Sequence, residues 1–527
     1  MPRERWGTRL GIILAVAGSA VGLGNFLRFP VQVAQNGGGA FMVPYLVALF
    51  LVGIPLCWVE WTMGRAAGGR GHGSGPGILN VFWESRGARY FGALGIFIPL
   101  MIYFYYVYIE SWCLAYSWFA ISGSMKEAAE ANEMGGFLSA FQGLKQNRWF
   151  AGISPAYAFF VITFCVNFFF IYRGLAKGIE TICKIAMPIL VIMGVIIVFR
   201  VLTLGAPDLS MPEWNISEGL GFLWNPDFSA LLDSRIWLAA AGQIFFTTSV
   251  GLGLIITYAS YLRESDDVAL SGLTSISINE FVEVIIGASI AIPAAFVFFG
   301  PVGIGEIAGG GAFNLGFVTM PMVFDKMPFT ALLGFMWFFL LFLAGITSSI
   351  SMLQPGIAFL EDEFRLSRKQ SVTILGVFSF LAAQPAIFFI DKGVLDMMDF
   401  WAGTFAIVVF ATGEVIIFGW VYGIEKGFKQ LHQGADIKVP SFFKFVIKYV
   451  TPGYLLIILG SWLWRDAWGR IPKPGDENFY YTGGALLCMA LFLVGLVALV
   501  EIAWRKKESR TDDDDMLDLV RRLGESK

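Results

Sequence analysis

The chain has 527 residues, a formal net charge of −3, 56 % apolar residues and only 15 % charged ones. Soluble domains carry roughly 25 % charged residues, so this composition excludes a soluble globular protein and predicts an all-α polytopic membrane protein. The charge gives no basis for a nucleic-acid partner. Two histidines in polar loops, His72 and His432, and five scattered cysteines offer neither zinc spacing nor a nucleophile–base pair.

About twelve segments reach the length of ~20 residues that crosses a bilayer as a helix. In chain order they are 10–35, 40–64, 91–122, 155–172, 179–204, 236–262, 268–299, 330–364, 371–390, 394–422, 441–464 and 478–504. They divide into a tail with a first set of five spans (1–204), a second set (205–422), two further spans (423–504) and a tail (505–527). The first apolar stretch continues into Arg28 and Pro30, so it reads as a span and not as a cleavable signal.

Lysine and arginine follow the even-numbered spans: Arg65 and Arg70 after the second, Arg173 and Lys177 after the fourth, Arg365 and Lys369 after the eighth, Arg505 to Lys507 after the twelfth. The loop between the fifth and sixth holds five acids against Arg235. This bias predicts cytoplasmic termini. Asn215-Ile216-Ser217 is a glycosylation triplet in an outer loop, and the run Asp512 to Asp515 is expected to open a short surface helix.

Two spans carry glycines at mid-membrane. The first reads Gly18-Ser19-Ala20-Val21-Gly22-Leu23-Gly24-Asn25, the sixth Thr247-Thr248-Ser249-Val250-Gly251-Leu252-Gly253, with Val-Gly-Leu-Gly common to both. Close helix packing would explain either alone. Their matched places, five spans apart, point instead to an inverted repeat with its binding site at two helix breaks. A break frees N–H and C=O groups that must find partners inside the membrane, and a carboxylate or a cation can serve. Asn279 in the seventh span and Thr347-Ser348-Ser349 in the eighth add neutral oxygens suited to a hard monovalent cation, or to hydrogen bonds between helices. Glu60, Glu110, Glu280, Glu283, Asp399 and Glu414 lie at membrane depth, where ionisable residues are costly and mark function.

These segments, above all Gly22 to Pro30, Gln243 to Thr247, Asn279-Glu280 and Thr347 to Ser349, resemble the neurotransmitter:sodium symporter family over nearly the whole chain, its bacterial leucine-transporting members in particular. The resemblance implies a LeuT-type 5+5 inverted repeat with discontinuous first and sixth helices, and Na+ at two sites. One would use Ala20, Asn25, Thr247, Asn279 and the substrate carboxylate; the other Gly18, Val21, Ala344, Thr347 and Ser348. It implies substrate binding by Ala20, Gly22, Leu23, Gly24, Ile102, Tyr106, Phe246, Thr247, Ser249, Leu252, Ser348 and Met352. An outer gate would pair Arg28 with Asp399 above the Tyr106–Phe246 lid, and an inner gate would join Arg3, Trp6, Ser260, Tyr261 and Asp362. Gly22 stands where monoamine-transporting relatives have aspartate, which leaves room for an amino acid's own carboxylate. Glu283 stands where chloride-dependent relatives have serine, so chloride independence is expected, with proton antiport through Glu283 as a further hypothesis. Ser19, Leu252 and Met352 depart from the leucine-transporting pattern, so leucine selectivity does not carry over.

The reading is therefore a sodium-coupled symporter of neutral, mostly apolar amino acids in a prokaryotic inner membrane, not an enzyme. Its implied partners are the amino acid and the bilayer, with a homodimer left open. The alternative is a transporter-like amino-acid sensor without net transport, and paired gates favour transport.

Overall fold

With no water to satisfy a backbone inside lipid, apolar segments of this length must close their hydrogen bonds within themselves, as helices do. The computed structural model describes residues 4–525, with the side chains of all but 465–466 and 508–525. Among the described residues the only strand-like pairing is an isolated bridge, Gly38 to Pro226.

The principal helices are α1 (Arg9–Ala20), α2 (Gly24–Gln35), α3 (Gly39–Gly68), α4 (Arg86–Ser122), α5 (Ser154–Tyr172), α6 (Leu175–Leu202), α7 (Ser234–Thr248), α8 (Leu254–Ala259), α9 (Ala269–Gly309), α10 (Thr330–Phe364), α11 (Arg368–Phe388), α12 (Val394–Val421), α13 (Phe442–Trp462) and α14 (Phe479–Lys507). Ten of these are long and apolar enough to cross a membrane. The first expected span is the pair α1 and α2, bent by 46°. The sixth is divided between α7 and α8, of 15 and 6 residues, neither long enough to cross alone. α14 continues as helix to Glu525, so the acidic run extends a helix instead of opening one. Asn215 caps a short helix, its Oδ1 accepting from Glu218 N at 3.0 Å.

The layering follows exposure to lipid. In α4, 94 % of the most apolar stretch is buried inside the protein; in α14 the share is 17 %. α4 is therefore the central column, packed along the length of α10, and α14 lies at the rim. Gly345 on α10 permits that approach, since a Cβ there would stand 2.9 Å from Glu110 Cγ.

The break between α7 and α8 has a backbone reason. Ser249, Gly251 and Gly253 have φ of 55°, 74° and 78°. The left-handed region costs a non-glycine residue about 1–2 kcal/mol, so glycine is favoured at two of the three. Gly253 also lets the break touch α4: a Cβ would fall 2.3 Å from Gly95 O.

Candidate functional site

The break between α1 and α2 meets α10 through one hydroxyl. Ser348 Oγ lies 3.3 Å from Gly18 O, 3.1 Å from Ser19 O, 3.4 Å from Val21 O and 3.1 Å from Ala344 O. A hydroxyl has a single hydrogen to donate, so four carbonyl oxygens around it exceed what it can satisfy. Thr347 Oγ1 adds a further oxygen, itself 3.1 Å from Ala344 O. A cluster of neutral oxygens with surplus lone pairs fits a hard monovalent cation. Among the described residues no group of three or more His, Cys, Asp or Glu is placed to hold a metal, so any cation site here is built from neutral oxygens and isolated acids.

A second cluster lies across α2, α7 and α9. Asn25 Nδ2 is 3.3 Å from Thr247 Oγ1, 2.9 Å from Asn279 Oδ1 and 3.0 Å from Glu283 Oε2. Asn279 Nδ2 donates to Thr247 Oγ1 at 2.9 Å, and Gln243 Nε2 to Glu283 Oε1 at 2.8 Å. Asn25 Oδ1 accepts the freed N–H of Gly22 at 2.9 Å. Tyr45 Oη donates to Glu280 Oε2 at 2.6 Å. All four of Asn25, Thr247, Asn279 and Glu283 are buried, and among the described residues Glu283 has no basic residue in ion-pair contact.

Between the clusters the walls are apolar. Leu23 N–H donates to Tyr106 Oη at 3.2 Å, and a Cβ on Gly22 would stand 3.0 Å from both Tyr106 Oη and Ser348 Oγ. Ile102 of α4, Leu252 of the second break and Met352 of α10 are buried. Ser249 Oγ donates to Ser19 O at 3.1 Å, which ties the two breaks together. The half-buried Phe246 ring lies against Gly24, where a Cβ would come within 2.4 Å of Cε1.

The expected outer ion pair is replaced by two other contacts. Arg28 lays its guanidinium over the Phe246 ring, 4.2 Å from the centroid, and Asp399 accepts from Tyr105 Oη at 2.6 Å. Among the described residues Arg28 and Asp399 form no ion pair within 4.0 Å. The planar guanidinium finds a π-face, and the carboxylate a hydroxyl, without meeting each other.

On the opposite side Trp6 Nε1 donates to Tyr258 O at 2.9 Å, with the rings edge to face at 5.1 Å. Ser260 Oγ donates to Thr257 O at 2.6 Å, Tyr261 Oη accepts from Gln354 Nε2 at 2.7 Å, and Asp362 is half-buried on the last turn of α10. Arg3, expected to complete this gate, lies outside the described residues.

Several contributors escaped the sequence reading. Glu180 of α6 holds the start of α1, accepting from Gly7 N at 2.7 Å and Thr8 Oγ1 at 2.9 Å. Glu60, singled out in the sequence as an acid at membrane depth but without a partner, accepts the freed N–H of Gly251 at 2.5 Å and so supports the second break. Asn167, a lone amide in an apolar run, was the one visible signal; it joins Glu110 of α4 to Ser349 of α10.

Comparison with known proteins agrees with this geometry. The model of the sodium:neurotransmitter symporter family matches residues 3–133 and 150–505. An uncharacterized sodium-dependent transporter of Methanocaldococcus jannaschii is 31 % identical over 513 residues, covering 94 % of this chain and 97 % of that protein. A sodium-dependent transporter of Haemophilus influenzae is 30 % identical, covering 87 % and 98 %. The crystal structure of MhsT in complex with L-phenylalanine superposes with a TM-score of 0.75 at 29 % identity, covering 87 % of this chain and 99 % of that one. A LeuT-type fold with broken first and sixth helices, matched over nearly its full length by sodium-dependent transporters, makes this chain a member of the sodium:neurotransmitter symporter family.

Proposed function

We propose that this sodium-coupled transporter carries neutral, mostly apolar amino acids inward across a prokaryotic inner membrane, without a need for chloride. The observation that carries the reading is the convergence of two broken helices on one small volume, with oxygen-rich edges and an apolar middle. The N–H groups at the start of α2, with Tyr106 Oη, suit a carboxylate. The backbone oxygens of Ala20, Phe246 and Thr247 suit an ammonium. Ile102, Leu252 and Met352 would receive the side chain; none is charged, and the flexible thioether of Met352 lets the pocket take more than one shape. L-Phenylalanine, present in the MhsT crystal structure, belongs to this substrate class.

In this reading Ala20, Asn25, Thr247 and Asn279 hold one sodium ion beside the substrate carboxylate, and Gly18, Val21, Ala344, Thr347 and Ser348 hold a second. Each ion supplies positive charge that the protein lacks at these points. Glu283, bonded to Asn25 and Gln243, supplies the fixed negative charge that chloride would otherwise bring. Phe246 and Tyr106 close the outer side, with Arg28 stacked on the lid. Trp6, Ser260, Tyr261 and Asp362 close the inner side, with both termini in the cytoplasm. Residues 1–204 and 205–422 form the two repeats that exchange access.

The test is equilibrium binding of labelled L-phenylalanine to the purified chain, with the other amino acids as competitors, in sodium chloride, sodium gluconate and choline chloride. The reading expects binding in both sodium salts and none in choline, with aliphatic and aromatic competitors effective and charged ones inert. Binding independent of sodium, or lost in gluconate, would contradict it.

A further inference from the structure

Glu110 sits in the middle of α4, one turn beyond Tyr106, and is 0 % exposed. Its two carboxyl oxygens lie 3.1 and 3.2 Å from Asn167 Nδ2 of α5, with the Ser349 hydroxyl of α10 also beside them. That amide group also donates to Thr163 O at 3.0 Å, so it has one hydrogen left for the two oxygens. Asn167 Oδ1 in turn accepts from Ser349 Oγ at 2.6 Å.

The groups around Glu110 are Tyr103, Tyr106 and Cys113 on its own helix, Asn167 on α5, and Gly345 and Ser349 on α10. None is cationic. The three acids on α12, which also packs on α4, are engaged elsewhere: Asp396 near Asp399 and Arg470, Asp399 with Tyr105, and Glu414 beside Glu60. Arg368 and Lys369 of α11 stand at its first turn, where Arg368 bonds Ile171 O. A carboxylate buried with only the neutral donors Asn167 and Ser349 and no counter-charge is strongly disfavoured in lipid.

The missing charge has a candidate position. Glu110 Cγ lies 2.9 Å from where a Cβ of Gly345 would stand, so the carboxyl reaches the α10 backbone beside Ala344. Ala344 O and Ser348 Oγ belong to the oxygen cluster assigned above to the second sodium ion, a cluster with no anionic member. A cation there and an ionised Glu110 compensate each other's charge without touching.

We propose that Glu110 is a proton-binding site linked to that cation cluster: it is ionised when the cluster is filled and protonated when the cluster is empty. On cation binding the carboxyl O–H proton leaves to water, and it returns when the cation departs. This rests on the sodium reading given above. Acid should then weaken cation binding, because a neutral acid offers no compensating charge.

The experiment uses the full-length chain in detergent, with sodium chloride alone as the probe against choline chloride. Sodium half-saturation is read from its upward shift of the melting temperature between pH 5.5 and 8.5, and proton release from a pH indicator in weak buffer. In the native chain half-saturation should rise by up to about tenfold per pH unit toward acid, the limit for one competing proton. Glu110→Gln should flatten this dependence. Because Glu283 is another buried acid, proton release is also measured in Glu283→Gln: it should persist there and vanish when both are replaced. A pH dependence as steep with both acids replaced as in Glu283→Gln alone would overturn the proposal. So would absence of proton release from Glu283→Gln, a result that needs no Glu110 variant to fold. Sodium giving no more stabilisation than choline at any pH would overturn the sodium reading itself.

Discussion

Gly24→Ala probes the lid directly. Gly24 opens α2 on a π-helical turn and is not in the left-handed region, so alanine meets no left-handed penalty there. Its Cβ, however, would stand 2.4 Å from Phe246 Cε1 and 2.8 Å from Cδ1. Carbon atoms settle at about 3.5–4.0 Å, so the ring must retreat by roughly 1 Å. Overpacking of this kind costs about 1–3 kcal/mol. At 1.4 kcal/mol per decade, that range is an affinity loss of roughly five- to hundredfold for any ligand bound beneath the ring. The half-buried ring can swing aside in the empty protein, so the melting temperature should change little. The assay is binding of labelled L-phenylalanine at saturating sodium, in Gly24→Ala, Phe246→Leu and the double variant. The smaller, flexible leucine should absorb most of the crowding, so the two changes should couple by about 1 kcal/mol or more. Binding by Gly24→Ala within twofold of the native chain, or simple additivity in the double variant, would refute a lid closed against Gly24.

Further outcomes follow from the same contacts. Ser348→Ala removes the oxygen that four carbonyls surround; sodium half-saturation should rise at least about tenfold, a loss of about 1.4 kcal/mol, while melting in potassium stays close to native. Glu283→Ser removes the fixed negative charge beside Asn25 and Gln243, and amino-acid binding should become chloride-dependent, read by replacing chloride with gluconate. Gly253→Ala forces a side chain into a φ of 78° and into Gly95 O, which should cost about 2–5 kcal/mol and appear as a lowered melting temperature and low folded yield. Trp6→Phe deletes the donor to Tyr258 O, so cysteines introduced on the inner side of α1 should react faster with a soluble maleimide.

The two breaks were legible because the same glycine pattern recurs at matched places five spans apart, and left-handed φ at Gly251 and Gly253 gives the physical cause of the second. The alternation of basic loops and apolar runs gave the helices, and the glycines within Thr247 to Gly253 marked where the sixth divides into α7 and α8. Side-chain partners were less accessible. Opposite charges suggested Arg28 with Asp399, yet rotamers and local geometry sent one to an aromatic face and the other to a hydroxyl. Glu60 reaches Gly251 across 191 positions of sequence, and Glu180 reaches Gly7 across 173; no local pattern encodes such contacts. Asn167 is an amide among phenylalanines that the sequence reading passed over, and only the packing of α4, α5 and α10 names what it joins.

The central claim is that the two breaks hold an amino acid and sodium together and move them together. Uptake of labelled L-phenylalanine into proteoliposomes tests it most directly, with sodium outside and potassium inside, against equal sodium on both sides. The account predicts accumulation above the external concentration only under the sodium gradient, collapsing when the gradient is abolished. Equilibration to equal concentrations under both conditions, or sodium-dependent binding with no uptake, would contradict it.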